Sequence, residues 1–189
     1  IAGRLAALLA WAAVQRGDRL GGFIFNDADR MEMRPALGNR AALRMIHQIS
    51  VMHDAAPSKE FTLASHLAAL RRVVHPGSLV ALMSDFNGLD DEATAHLVDI
   101  AKHNDVLMLS VVDPLEQQLP PAGDYPVLIG GQRQTIHSSS GAQRRWAAQF
   151  EARSTLLSEL ANRHGIRWHE VLTNDEPLKV MQQLMGKVR

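Results

Sequence analysis

Apolar residues follow two different periods along this chain, and the periods divide it into alternating helices and strands. Apolar side chains recur every three or four residues in six segments, which predicts helices at 1–16, 39–53, 62–74, 91–103, 142–164 and from 177 onward. Two continuous apolar runs, Leu79–Met83 and Val106–Val112, are typical of parallel strands covered by helices on both faces. We therefore expect an α/β fold with a doubly wound, mostly parallel open sheet, formed by residues 1–189 as a single domain.

Shorter extended segments complete the pattern. They predict a buried strand at Arg19–Phe25, an edge strand at Arg30–Arg34 ended by Pro35, a loop at Pro114–Pro126, a small hairpin of Val127–Ile129 with Arg133–His137, and a last strand at Ile166–Leu172. Asn39 and Asp90 are placed to cap the helices that follow them. Leu43, Ile46 and Ile49 have the spacing of an inner helix face, to which Met45 is a further candidate.

Charge and composition narrow the function classes. Lys plus Arg and Asp plus Glu both number 20, so no basic excess indicates nucleic-acid binding. The chain has no cysteine, which excludes disulfides, thiolate metal sites and cysteine nucleophiles. The apolar run Leu5–Val14 is shorter than the ~20 residues of a membrane span and continues an amphipathic pattern, so we interpret it as a helix of the domain. We expect a cytoplasmic protein with no membrane span.

The strongest candidate for chemistry is Ser84-Asp85, directly after the apolar run Leu79–Met83. Ligands of doubly wound folds bind beyond the carboxyl ends of the strands, where a carboxylate is able to hold a hard cation such as Mg²⁺. Asp85 equally fits a turn before Asp90. Thr62 begins a helix, where a hydroxyl is either an N-cap or a cation ligand.

Two more carboxylates follow the next strand. Asp113 and Glu116 lie at the same predicted edge of the sheet as Asp85, so they are candidates for the rim of a crevice together with Ser84. A turn after the strand explains them as well. Neither a nucleophile elbow nor a phosphate-binding glycine loop occurs in the chain.

Several stretches together resemble the bacterial "domain of unknown function 58" family. They are Ala6–Ala13 with Gly17–Gly22, Ser78–Phe86, Val112–Glu116 with Leu119-Pro120, and Leu172–Asp175. That family is similar to von Willebrand factor A domains, which hold Mg²⁺ in a metal-ion-dependent adhesion site. Its members are commonly encoded beside MoxR-type AAA+ ATPases and are thought to work with them.

The resemblance implies a role for two residues of this chain. An adhesion site takes an Asp that follows the fourth strand of the domain, and Asp85 corresponds to it. The site also takes a Thr from a loop that comes after its DxSxS motif, and Thr62 corresponds to that residue. No DxSxS motif, which supplies the other ligands, occurs in the chain. The resemblance therefore implies that the first, central strand and its ligands lie upstream of Ile1, and that this chain is the C-terminal portion of the domain.

Together these features predict a non-enzymatic, protein-binding module assisted by a divalent cation, Mg²⁺ or Mn²⁺. Its expected partner is a MoxR-type AAA+ ATPase or a client of that ATPase, in the assembly or maturation of other proteins. Two alternatives stay open. One is a metal-dependent phosphohydrolase that uses Asp85 and Asp113, and the other is a scaffold with a vestigial metal site.

Overall fold

Helices and strands alternate along most of the chain, as the two apolar periods predict. The computed structural model describes residues 1–26, 29–53, 61–129 and 132–186. In chain order the elements are α1 (Ala2–Gln15), β1 (Leu20–Phe25), β2 (Arg30–Ala36), α2 (Asn39–His53), α3 (Leu63–Val73), β3 (Leu79–Ser84), α4 (Asp91–Ala101), β4 (Asp105–Val112), α5 (Pro114–Gln117), β5 (Gly123–Ile129), β6 (Gln132–Ser138), α6 (Ser140–Arg163), β7 (Arg167–Leu172) and α7 (Pro177–Gly186).

The centre of the molecule is a parallel sheet of three strands in the order β3-β4-β7. The register places Leu82 beside Met108, and Met108 beside Trp168. The middle strand β4 is buried from Val106 to Ser110, as its continuous apolar sequence predicts. The prediction of a parallel sheet flanked by helices is confirmed.

Helices cover both faces of this sheet with separate apolar layers. One layer joins side chains of α3, α4 and α6 to the strands and includes Leu97, Ile100 and Met108, all almost fully buried. The other joins α1 and α7 to the opposite face through Leu5 and Leu109. Each such side chain stabilises the fold by about 1.5–3 kcal/mol, so the sheet is held from both sides.

The helix between β3 and β4 shows how the local sequence sets an element's ends. Asp90 adopts an extended backbone, and its side chain accepts a hydrogen bond from the Ala93 N–H at 2.8 Å, which confirms the predicted cap. Asp91 and Glu92 in the first turn complement the positive end of the helix dipole. The helix ends at Ala101, two residues before the predicted end at His103.

The segment predicted as a buried strand and an edge strand forms its own ribbon. β1 and β2 pair antiparallel as a separate two-stranded sheet, and β1 is half-buried along its length. β2 continues through Pro35 to Ala36. Pro35 has no N–H to donate, but the outer edge of β2 has no neighbouring strand in the described residues, so no hydrogen bond is lost there. The ribbon packs on α1 and α2 through a third apolar cluster that includes Met33 and Met45.

The region after β4 is more regular than its Pro and Gly content predicts. The expected loop Pro114–Pro126 contains the short helix α5 and the first residues of β5. β5 and β6 form a two-stranded ribbon in which Pro126 pairs with Thr135, so the hairpin is longer than predicted. A Pro is tolerated there because each strand of a two-stranded ribbon has a free edge.

Two details of α2 differ from the sequence prediction. Asn39 is the first residue of the helix rather than its cap, and the Ala41 N–H bonds the carbonyl of Gly38. Leu43, predicted for the inner face, is 56% exposed. The inner face carries Met45 and Ile49, as predicted, together with Ala42, so the buried stripe is rotated away from Leu43.

Within the described residues, the longest and most apolar helical stretches fall short of what a membrane crossing requires.

Candidate functional site

A polar row crosses the parallel sheet near the carboxyl ends of its strands. The register places Ser84 of β3 beside Ser110 of β4, and Ser110 beside Glu170 of β7. Neighbouring residues in register project to the same face of a sheet. This row follows the apolar row of Leu82, Met108 and Trp168 by two residues, so it lies on the face covered by α6.

The turn after β3 presents Asp85 to solvent. Phe86 has φ +53°, a left-handed backbone that residues other than Gly rarely adopt, while its side chain is 2% exposed in the core. Burial of the ring holds the strained backbone in place, and this geometry leaves the neighbouring Asp85 exposed. Strain of this kind is concentrated at functional sites.

Local hydrogen bonds fix the Asp85 carboxylate. Its Oδ1 accepts from the Asn87 N–H at 3.0 Å and from the Ser84 hydroxyl at 3.3 Å. Its Oδ2 accepts from the Asn87 side-chain amide at 2.6 Å. A carboxylate has about four lone-pair sites, so about one site, on Oδ2, is left for a ligand.

Helix α6 lies across this edge of the sheet and contacts it at three places. Arg153 donates to the main-chain carbonyl of Asp85, and the Ser154 hydroxyl donates to Glu170 Oε2 at 3.1 Å. About two turns upstream, the Trp146 indole N–H donates to the carbonyls of Leu115 and Glu116. These contacts tie one helix to the segments that follow β3 and β4 and to β7.

The space between α6 and the sheet edge is a narrow crevice. The residues that line it are Asp85, Ser110, Val112, Glu116, Phe150, Arg153, Ser154, Leu157 and Glu170. Its volume of about 10 Å³ is close to what one water molecule needs. A larger ligand therefore reaches this site at its rim, where Asp85 is exposed, rather than in its interior.

The crevice carries more negative than positive charge. Three of its lining side chains are carboxylates, those of Asp85, Glu116 and Glu170, and one is the guanidinium of Arg153. Glu170 is half-buried and accepts from Gln117 Nε2 at 2.8 Å as well as from Ser154. An excess of carboxylates attracts a cation to the rim.

Glu170 and Arg153 were not predicted as site residues. The available signal for Glu170 was a carboxylate near the carboxyl end of a predicted strand, the position where ligands of such folds bind. The chain offered no such signal for Arg153, because its contact with Asp85 joins residues 68 positions apart.

The other predicted residues have hydrogen bonds of their own. Thr62 is exposed and forms a capping box with Ser65, in which its hydroxyl accepts from the Ser65 N–H at 3.2 Å. Asp113 forms a second capping box at the start of α5 with Glu116, and Oδ2 of Asp113 also accepts from the Thr173 hydroxyl at 3.3 Å. Glu116 lines the crevice with Asp85, whereas Thr62, Ser84 and Asp113 do not.

The donor set at Asp85 permits only one mode of cation binding. Among the described residues, no group of three or more His, Cys, Asp or Glu side chains converges in a way that could hold a metal ion. Mg²⁺, however, usually keeps several waters and takes one or two protein carboxylates. The free lone pair of Asp85 fits that mode, with the remaining positions left to water and to ligands from outside the described residues.

The fold and the crevice define a class of protein, an α/β domain with a polar site at the carboxyl edge of a parallel sheet. The family model described as "Protein of unknown function DUF58" matches residues 1–155. The chain therefore belongs to this family, which confirms the resemblance seen in the sequence.

Curated relatives match a shorter part of the chain. The uncharacterized proteins Mb1516 of Mycobacterium bovis and Rv1480 of Mycobacterium tuberculosis are each 30% identical to it over 119 residues, or 63% of this chain. The match covers 37% of the length of each relative.

Two solved structures share the fold. The conserved hypothetical protein BatB from Bacteroides thetaiotaomicron superimposes with a TM-score of 0.56 at 15% identity, covering 98% of this chain and 85% of that one. An aerotolerance-related membrane protein from Bacteroides fragilis gives a TM-score of 0.52 at 13% identity with the same coverage. Likeness at this level of identity concerns the fold alone.

Proposed function

We propose that this chain is a non-enzymatic, von Willebrand factor A-like binding module that holds a divalent cation, Mg²⁺ or Mn²⁺, at Asp85. Through that cation it binds a carboxylate of a protein partner. The observation that carries the proposal is the Asp85 carboxylate itself, exposed directly after β3 and fixed by three hydrogen bonds that leave about one lone pair on Oδ2.

The coordination chemistry favours binding through a shared cation. A cation held by one protein carboxylate and several waters remains electrophilic, and an incoming Asp or Glu replaces one of those waters. The crevice interior is too small for a side chain, so the partner's carboxylate approaches Asp85 from solvent. Fixed orientation of the Asp85 carboxylate lowers the conformational entropy lost when the complex forms.

The neighbouring groups support binding over catalysis. Among the residues described as lining the crevice there is no His or Cys, the side chains that most often act as base or as strong nucleophile near neutral pH. Glu170 is held by Gln117 and Ser154. Asp113, the second carboxylate of the phosphohydrolase alternative, is bonded to the N–H of Leu115 and the hydroxyl of Thr173.

For the partner we propose a MoxR-type AAA+ ATPase or one of its clients, in the cytoplasm. The support is what the family resemblance implies, since members of this family are commonly encoded beside such ATPases. An acidic loop on the ATPase would supply the carboxylate.

A calorimetric titration with Mg²⁺ and Mn²⁺ tests the cation site. We expect binding by the wild-type chain and its loss in Asp85→Asn, which keeps the shape of the side chain and removes its charge. Asp91→Asn is the matched control, because Asp91 is an exposed carboxylate six positions away in the first turn of α4. Equally weakened cation binding in both variants would show that the cation is held by general electrostatic attraction and not by a site at Asp85.

Partner binding is tested with a purified MoxR-type ATPase, by biolayer interferometry. We expect binding that is abolished by a chelator, restored by Mg²⁺ and absent in Asp85→Asn. Binding that persists in chelator and in Asp85→Asn would favour the scaffold alternative.

A further inference from the structure

A second surface, on the solvent side of α2, combines positive charge with exposed apolar side chains. Arg40, Arg44 and His47 are exposed, and so are Leu43 and Val51. Their spacing places all five within one stripe along the helix, because residues three, four, seven and eleven apart share a face. We call this stripe the basic face of α2.

The fold does not need this stripe. The opposite side of α2 carries the residues that pack on α1 and on the ribbon of β1 and β2, among them Ala42, Met45 and Ile49. Leu43 is 56% exposed and Val51 is 52% exposed, and Leu37, just before the helix, is 59% exposed. Three large aliphatic side chains next to exposed arginines are typical of a surface that becomes covered.

The charges on α2 also oppose the stability of the helix. The first turn has no acidic residue and contains Arg40, next to the positive end of the helix dipole. A cation there destabilises a helix by roughly 0.3–1 kcal/mol. Within the described residues, the ion pairs of the structure involve neither Arg40 nor Arg44. Arg40 therefore lowers the stability of the helix instead of adding to it, as residues at binding surfaces often do.

We propose that the basic face of α2 binds an acidic, amphipathic helix of a protein partner, whose carboxylates pair with Arg40 and Arg44 and whose aliphatic residues cover Leu43 and Val51. Arg is enriched in protein interfaces and Lys is depleted, and the stripe has arginines and no lysine. A membrane surface would call for a cluster of about four to eight basic residues, and the chain as a whole has no net charge. None of the α2 residues lines the crevice at Asp85, so this surface is additional to the proposed cation site.

Fluorescence anisotropy with a labelled synthetic peptide tests the proposal on the 189-residue chain. The probe is an amphipathic peptide of about 18 residues, or roughly five helical turns, with Glu on one face and Leu on the other. We expect binding by the wild-type chain, and at least about tenfold weaker binding by the double variant Arg40→Glu/Arg44→Glu. The matched control Arg144→Glu/Arg145→Glu makes the same change of charge on an exposed part of α6 and should keep wild-type affinity.

A second double variant tests the apolar contacts of the basic face, and a second peptide tests whether the charge of the ligand matters. Leu43→Ser/Val51→Ser should weaken binding without changing its salt dependence, and a peptide with Lys in place of Glu should not bind. Failure of the wild-type chain to bind the acidic peptide, or equal losses in the α2 and α6 variants, would overturn the proposal. Sedimentation with phosphatidylserine vesicles that depends on Arg40 and Arg44, without peptide binding, would overturn it in favour of a membrane surface.

Discussion

The left-handed backbone at Phe86 leads us to expect that a Gly variant at this position is more stable than an Ala variant, the reverse of the usual order. Phe86 lies between Asp85 and Asn87, and its φ of +53° places the exposed Asp85 beside a buried ring. Replacing Phe86 with Ala or with Gly removes the same ring from the core. The two variants then differ in whether a Cβ must be accommodated at positive φ and in how much conformational freedom the backbone loses on folding.

The magnitudes follow from the two opposing effects. Loss of the buried ring destabilises both variants by about 3–5 kcal/mol, with some relief of backbone strain in the Gly variant. A left-handed backbone disfavours an L residue by roughly 1–2 kcal/mol, whereas Gly loses about 0.4–1 kcal/mol more conformational freedom on folding. Phe86→Gly should therefore be more stable than Phe86→Ala by about 0.5–1 kcal/mol.

Urea denaturation followed by circular dichroism measures this difference directly. The control is Ala93→Gly at a fully buried position inside α4, where Gly should be less stable than Ala by roughly 0.5–1 kcal/mol. The reasoning is refuted if Phe86→Ala is the more stable of the two variants, because Phe86 would then lie outside the left-handed region and Asp85 would not have the described orientation.

Two further predictions concern charges outside the crevice. Hydrogen bonds from Lys102 and Arg71 hold the pKa of Asp99 below its ordinary value of 3.8. A carboxyl with a depressed pKa contributes stability that is present above pH 3.8 and is lost as the pH falls through its folded-state pKa. Asp99→Asn should therefore lower the stability at neutral pH and make the stability less dependent on pH in acid. Melting temperatures between pH 2 and 6 measure both effects. Arg40→Glu should raise the free energy of unfolding by roughly 0.6–2 kcal/mol, because it removes a cation from the helix N-terminus and places an anion there. A lower free energy of unfolding in urea denaturation would contradict the account of the basic face.

Much of the fold is predictable where the local pattern and the packing agree. β4 is apolar on both faces and lies at the centre of the sheet, so its sequence contains the information about its environment. Asp90 caps α4 through a bond that spans three residues, which the chain order alone is enough to predict.

The wrong or incomplete predictions involve choices that the local pattern leaves open. Leu43 fits an inner helix face by spacing, but the stripe through Met45 packs on the ribbon instead. The segment of β1 is predicted as a buried strand, yet it is half-buried and pairs only with β2 in the described residues. Tertiary packing decides between such alternatives, and a short apolar run in the sequence does not show which surface will pack against it.

The candidate site was predictable in part for the same reason. Asp85 follows a buried strand, and this position alone indicates the carboxyl edge of the sheet. Arg153 and Ser154 reach that edge only because α6 packs across it, which depends on contacts distant in the chain. Thr62 has the residue type of a ligand, and the structure uses its hydroxyl as a helix cap.

The central claim is that a divalent cation binds at Asp85, and paramagnetic broadening by Mn²⁺ tests it most directly. In backbone amide spectra of the 189-residue chain, substoichiometric Mn²⁺ should broaden the signals of residues 84–88 first, and then those of Glu116. The broadening should disappear in Asp85→Asn and persist in Asp91→Asn. Broadening centred on another carboxylate, such as that of Asp99, or unchanged in Asp85→Asn, would contradict the account.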